Sequence, residues 1–190
     1  KKIKGGKEYK GDILDYGALW MEARDVAGIV HLAAKSNRQV CEEDPRQCIA
    51  VNLLGLYNIL EIAEKRGIWV LFISTFQVRE QNLYGLSKLM GEELCRTYQK
   101  EGVRVKILRL PIVYGAGDRD YKVVTKIINT LKSSREPVIL TEDRFYFTYV
   151  DDVAKIIENE VNVIDGRFGK EYSLLDLVDG IKKCMKGVRK

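Results

Sequence analysis

The sequence has a single histidine, His31, in 190 residues. A metal centre built on several imidazoles is therefore excluded. Its four cysteines, Cys41, Cys48, Cys95 and Cys184, make no CxxC pair and no zinc-site spacing. Packed thiols in a reduced, cytoplasmic compartment are the expectation. No apolar run approaches the roughly 20 residues that cross a bilayer, so no membrane partner is expected. The densest run, residues 68–73 (IWVLFI), has the length of a strand. The start, KKIKGGKEYK, has lysines with no apolar core behind them and so is no secretory signal. An excess of one charge is also missing, because the net charge is only +5. The basic residues at the two ends, such as Lys1, Lys2, Lys4, Lys183, Arg189 and Lys190, lack interleaved aromatics. They are expected to be solvated tails, with no nucleic-acid partner.

What is present suits a packed α/β protein. Hydrophobic residues make up 46% and charged residues 31%. At about 150 residues per domain, the length gives one domain or slightly more. Residues 27–31 (AGIVH), 68–74 (IWVLFIS) and 103–110 (VRVKILRL) read as buried strands. Between them, residues 44–65 and 83–99 carry apolar positions at helical steps, and Gly67 and Gly102 punctuate their ends. Strands alternating with such helices predict a parallel sheet covered by helices on both faces. After Pro111 the strands shorten, to residues 137–140 and 145–150. A parallel-sheet α/β domain over 1–111 and a smaller α/β portion over 112–190, interleaved with the sheet, are expected.

Three places could carry chemistry. Tyr84 and Lys88 in YGLSK are four apart, which puts them on one helix face. A phenol titrates near pH 10, and a nearby ammonium favours its ionised form, so the pair can act as an acid/base. Taken alone, the pair better suits a surface helix with a packed ring. Ser74 and Thr75 end a buried strand, the end at which open α/β sheets take ligands. Taken alone, they also suit a strand turning polar. HLAA (31–34) follows another strand, and its small residues would admit a flat ligand or simply a tight turn.

The order of these pieces carries more than any one of them. GDILD (11–15), VHLAA (30–34), VNLLGLYNILEIA (51–63), FIST (72–75), YGLSK (84–88), LRLPIVYG (108–115) and YVDDVA (149–154) follow one another. This series resembles the extended short-chain dehydrogenase/reductase family, in particular its nucleotide-sugar epimerases and dehydratases. The resemblance implies a doubly wound, Rossmann-like NAD-binding domain with a small C-terminal substrate domain; NADP is an alternative cofactor. It implies Tyr84 as acid/base, Lys88 as holder of the nicotinamide ribose that lowers the Tyr84 pKa, and Thr75 as the group orienting the reacting hydroxyl. Asp12 and Ile13 would contact adenine, Leu32, Ala33, Ala34 and Asn52 would line the cofactor, and Pro111 would abut the nicotinamide. Asp152 would be a structural anchor, or a helix N-cap. The implied activity is 4-epimerisation of a nucleotide sugar, a UDP-hexose, by a homodimer. A nucleotide-sugar reductase and a non-catalytic binding relative are the alternatives.

Departures accompany the resemblance. The family's first β-α-β unit, with its GxxGxxG turn, has no counterpart in these residues; Gly5, Gly6 and Gly11 do not make that pattern. Thr75 and Tyr84 are nine positions apart, closer than in relatives. Phe76 and Gln77 replace the acidic pair of 4,6-dehydratases, Ile112 replaces a common asparagine, and Phe145 stands where an arginine is expected, with Arg144 before it. If segments are missing from a continuously numbered chain, spatial breaks are expected within residues 77–83 and near the start. A truly shortened chain is the other reading.

Overall fold

A computed structural model describes residues 6–158 and 169–187. Gly5, most of the N-terminal lysines, Arg189 and Lys190 lie outside the described residues. The chain divides into two compact units, Lys1–Arg109 and Leu110–Lys190.

In the first unit, short polar residues start the helices. Asp15 caps α1 (Tyr16–Glu22), Asn37 caps α2 (Arg38–Glu43), and Asp44, followed by Pro45, caps α3 (Pro45–Ile49). Each cap accepts a backbone N–H that the first turn leaves unpaired. The single helix expected over 44–65 is interrupted. After α3 the chain passes through a π-helical stretch, Ala50–Leu54, before α4 (Gly55–Arg66). Gly67 ends α4 in the left-handed region. Asn82 caps α5 (Leu83–Lys100).

Three strands form the sheet in the order β1 (Gly28–His31), β2 (Trp69–Thr75), β3 (Val105–Leu110). The pairs are parallel, with Gly28 opposite Trp69 and His31 opposite Phe72. Val70 and Phe72 of β2 pack with Leu56, Leu60 and Ile62 of α4, Cys95 of α5 and Ile107 of β3. Leu71 and Ile73 alternate to the other face and are buried too. Burial on both faces explains the near-continuous apolar run of β2.

The break expected within residues 77–83 is not found. A 3-10 turn (Phe76–Arg79) follows β2 directly, and Glu80 N–H donates to the Gln77 carbonyl at 2.9 Å. Asn82 then accepts from Gly85 N–H at 2.9 Å, so caps and turns carry the chain straight into α5.

The second unit has β4 (Ile112–Tyr114) parallel to β5 (Arg144–Tyr149), with β6 (Lys170–Ser173) antiparallel on the other side of β5. Helices α6 (Val123–Lys132), α7 (Val150–Glu158) and α8 (Leu174–Gly187) accompany this sheet. The strand expected at 137–140 does not form. Val138 and Leu140 are 82% and 91% exposed there, since the run finds no partner strand to satisfy its backbone. Asp152 is not an N-cap: it lies inside the first turn of α7 and pairs with Lys155 at 2.9 Å. No helix among the described residues is long and apolar enough to cross a membrane.

Gly85 marks the tightest approach between α5 and the turn before it. A β-carbon there would lie 2.2 Å from the Gln77 carbonyl oxygen, a backbone atom that cannot step aside. Gly85→Ala is expected to cost about 1–3 kcal/mol by overpacking, read as a lower midpoint in urea unfolding. An unchanged midpoint would mean that the turn yields freely.

Candidate active site

The pairing of His31 with Phe72 carries Leu32, Ala33 and Ala34 alongside the last residues of β2. This is the carboxyl end of the parallel sheet, where such folds bind ligands. Leu32 is 65% exposed, Ala33 is exposed and Ala34 is half-buried. A large apolar side chain beside two small ones offers a flat surface at that edge.

Helix α5 brings its N-terminal turns against the same end. Tyr84, Lys88 and Glu92 follow one another at four-residue steps, and all three are buried. The Tyr84 phenol lies beside the Thr75 hydroxyl. Thr75 also accepts from Gln77 N–H at 3.2 Å. The Lys88 ammonium donates to the Ile73 carbonyl at 2.6 Å and lies 4.5 Å from the centre of the Phe72 ring. The structure thus brings Thr75, Tyr84 and Lys88 together.

Their electrostatics differ from the expectation in one respect. Burial pushes the Tyr84 phenol above its ordinary pKa, and the Thr75 hydroxyl beside it pulls only partly back. The lowering expected from Lys88 does not outweigh this burial. Burial brings Lys88 itself down to about 8, with Cys95 and Glu92 opposing.

Asn52 sits in the π-helical stretch with 1% exposure. Its Oδ1 accepts from Lys35 N–H at 2.8 Å, and its Nδ2 donates to the Lys35 carbonyl at 3.2 Å and to Ser87 Oγ at 2.9 Å. Ser87 in turn donates to the Tyr84 carbonyl at 2.8 Å. One amide therefore ties the loop after β1 to the first turn of α5. Cys41 and Cys48 lie in the same small cluster as Tyr84, fully buried, and are joined as a disulfide with Cα atoms 5.0 Å apart. Packed thiols were expected. Two short helices capped at Asn37 and Asp44 fold back on each other and bring the two sulfurs together, within the usual Cα range.

The remaining expected residues lie elsewhere. The Asp12 carboxylate closes a turn by accepting from Leu14 N–H at 3.0 Å, and the Ile13 carbonyl accepts from Asn58 of α4 at 3.1 Å. Pro111 joins β3 to β4 and belongs to the second unit. Ser87, Glu92 and Arg109 were not singled out by sequence reasoning, although the 84, 88, 92 spacing was there to extend.

A family model described as the NAD dependent epimerase/dehydratase family matches residues 2–159. The UDP-glucose 4-epimerase of Rickettsia bellii is 27% identical over 188 residues, covering 96% of this chain and 55% of that protein. Two solved structures share the fold. The UDP-glucose 4-epimerase of Thermus thermophilus, in complex with NAD, has a TM-score of 0.81 at 23% identity and is matched over 96% of this chain and 70% of its own. The L-threonine dehydrogenase of Clostridium difficile has a TM-score of 0.84 at 22% identity, over 97% and 68%. The chain spans 37% to 61% of the length of the first curated relatives it matches.

His31 sits beneath this end of the sheet at 2% exposure, stacked 5.9 Å from Phe72, and its Nε2 has no hydrogen-bond partner among the described residues. Burial, reinforced by the Lys88 charge, lowers its pKa to about 4. Unfolded histidine binds a proton near pH 6.5, so between about 6.5 and 4 the unfolded chain holds more protons than the folded one. Stability should therefore fall as pH drops through that window, by up to about 3 kcal/mol. Urea titrations at pH 7 and pH 4.5 check this, and His31→Gln should flatten the difference.

Proposed function

The chain belongs to the NAD dependent epimerase/dehydratase family, and on that footing we propose that it serves NAD-dependent 4-epimerisation of a nucleotide sugar, with a UDP-hexose as the substrate class. The observation that carries this reading is the convergence of Thr75, at the carboxyl end of β2, with the buried Tyr84 and Lys88 on successive turns of α5. The exposed Leu32 beside Ala33 and Ala34 suits the flat face of a cofactor at the same sheet end. In this reading Lys88 holds the nicotinamide ribose, Asn52 shapes the loop beneath it, and Asp12 and Ile13 receive the adenine. The bound nicotinamide would supply the acceptor, and later the donor, of a hydride.

The chain's own residues handle the proton. The Thr75 hydroxyl orients the sugar hydroxyl that reacts. Tyr84 Oη takes the proton of that hydroxyl as the carbon is oxidised and returns it when the carbon is reduced on the opposite face. Because burial favours the neutral phenol, the proton-accepting form depends on a nearby cation. Lys88, on the same helix face, is placed to supply that charge. Phe76 and Gln77 put no carboxyl beside Thr75, which favours epimerisation over dehydration.

The experiment is to load the protein with NAD, follow cofactor binding by fluorescence, and offer UDP-hexoses. Interconversion of 4-epimers is expected, and Tyr84→Phe should lower turnover by about 10²–10⁴-fold with the fold intact. Consumption of reduced cofactor with a keto-sugar would point instead to a reductase. Folded protein that binds no cofactor would leave a non-catalytic relative.

Pairing of two copies is part of the same proposal. Leu54 and Tyr57 near the start of α4, and Leu86 and Met90 on α5, are 51%, 41%, 49% and 46% exposed. Apolar side chains at three- and four-residue steps on adjacent helices suit a helix-pair interface. Light scattering is expected to give a dimer, converted to monomer by the double change Tyr57→Glu with Met90→Glu. A monomer in the unmodified protein would reject the pairing.

A further inference from the structure

Glu92 lies two turns beyond Tyr84 on α5, fully buried, on the helix face that carries Tyr84 and Lys88. A lone buried carboxylate is strongly unfavourable, and this one is held on every side. Ser74 Oγ donates to its Oε1 at 2.6 Å. Arg109 of β3 forks onto both oxygens, Nε to Oε1 at 2.7 Å and Nη2 to Oε2 at 2.6 Å. Arg96 donates to Oε2 at 3.0 Å. A single carboxylate thus binds α5 to two neighbouring strands.

The residues gripped are the telling part. Ser74 lies between Ile73, whose carbonyl receives Lys88, and Thr75, whose side chain meets Tyr84. Three successive residues of β2, Ile73, Ser74 and Thr75, thus meet Lys88, Glu92 and Tyr84, which stand on three turns of α5. We propose that Glu92 is a positioning residue: by fixing Ser74 to α5 it sets the register in which Thr75 faces Tyr84 and the Ile73 carbonyl faces Lys88. This rests on the reading of Tyr84 and Lys88 given above. Misplacement of reacting groups by about 1 Å can cost on the order of 10²-fold in rate.

The carboxylate also acts through space. Burial works against its ionised form, but Arg109, Ser74 and Arg96 outweigh that and hold it below the usual carboxylate range. Its charge therefore persists at neutral pH, where it supports the Lys88 ammonium against desolvation. The other ionisable groups around this stripe are Cys95 and Arg96 on α5, Arg109 on β3 and His31 on β1, which faces Lys88.

The test is Glu92→Gln, which keeps shape and removes charge, with Glu92→Asp restoring it. The first readout needs neither substrate nor cofactor: the titration of Lys88, followed by NMR of lysines labelled at the ε-carbon. Glu92→Gln should move the Lys88 midpoint below about 8, and Glu92→Asp should bring it back. Ser74→Ala, which leaves the charge in place but releases the register, should also shift the Lys88 midpoint by loosening its contact with the Ile73 carbonyl, and should lower kcat about tenfold or more, with KM little changed. A Lys88 midpoint untouched by Glu92→Gln, or full turnover in Ser74→Ala, would overturn the proposal. If Glu92→Gln fails to fold, Ser74→Ala decides. If the unmodified protein turns over no sugar, the substrate reading fails, and the Lys88 titration still decides the role of Glu92.

Discussion

The close seating of α5 on the end of β2 is the constraint on which the candidate site depends. Gly85 allows the helix to start directly against the 3-10 turn, and Gly91 allows its middle to rest on Phe72 and Leu56. With the helix axis that near, the short reach from Tyr84 to Thr75 and from Lys88 to the Ile73 carbonyl becomes possible. Larger residues at either glycine would hold the helix off, and the side chains would not span the gap. Packing therefore decides the chemistry before any charge does.

Charge then refines what packing allows. Two ionised groups, Lys88 and Glu92, are buried on one helix face within a largely apolar core. Neither would survive there alone. Glu92 is stabilised by two guanidiniums and a hydroxyl, Lys88 by a carbonyl and the face of an aromatic ring. Such arrangements cost folding energy compared with an apolar core, and they are found where groups must be poised for reaction.

Much of this was legible in the sequence. The alternation of apolar strands with helical periods gave the parallel sheet, and Tyr84, Lys88 and Thr75 were marked by spacing and by position at a strand end. The rest depended on contacts between residues far apart in the chain. That Glu92 would meet Arg109 follows from the order of β2 and β3, which periodicity does not contain. Asn52 was placed near the cofactor loop by resemblance, but its grip on Lys35 and Ser87 needs three separate segments to converge. The run at 137–140 had the composition of a strand and lacked only a neighbour, which is a property of the fold and not of the run. The Cys41–Cys48 pairing was hidden for a related reason: their separation says nothing until the caps at Asn37 and Asp44 turn the two helices back on each other.

The π-helical stretch at Ala50–Leu54 sets the rotational phase between α3 and α4. An α-helix turns by about 100° per residue, and a π turn holds one residue more than the pattern on either side requires. Residues four apart on a regular α-helix drift by about 40° per step, and the wider π turn takes up that drift. Cys48 beside Tyr84, Asn52 on Ser87 and Leu56 against Gly91 can therefore all face α5. The stretch works as a gear that keeps one side of the rod in mesh with its neighbour.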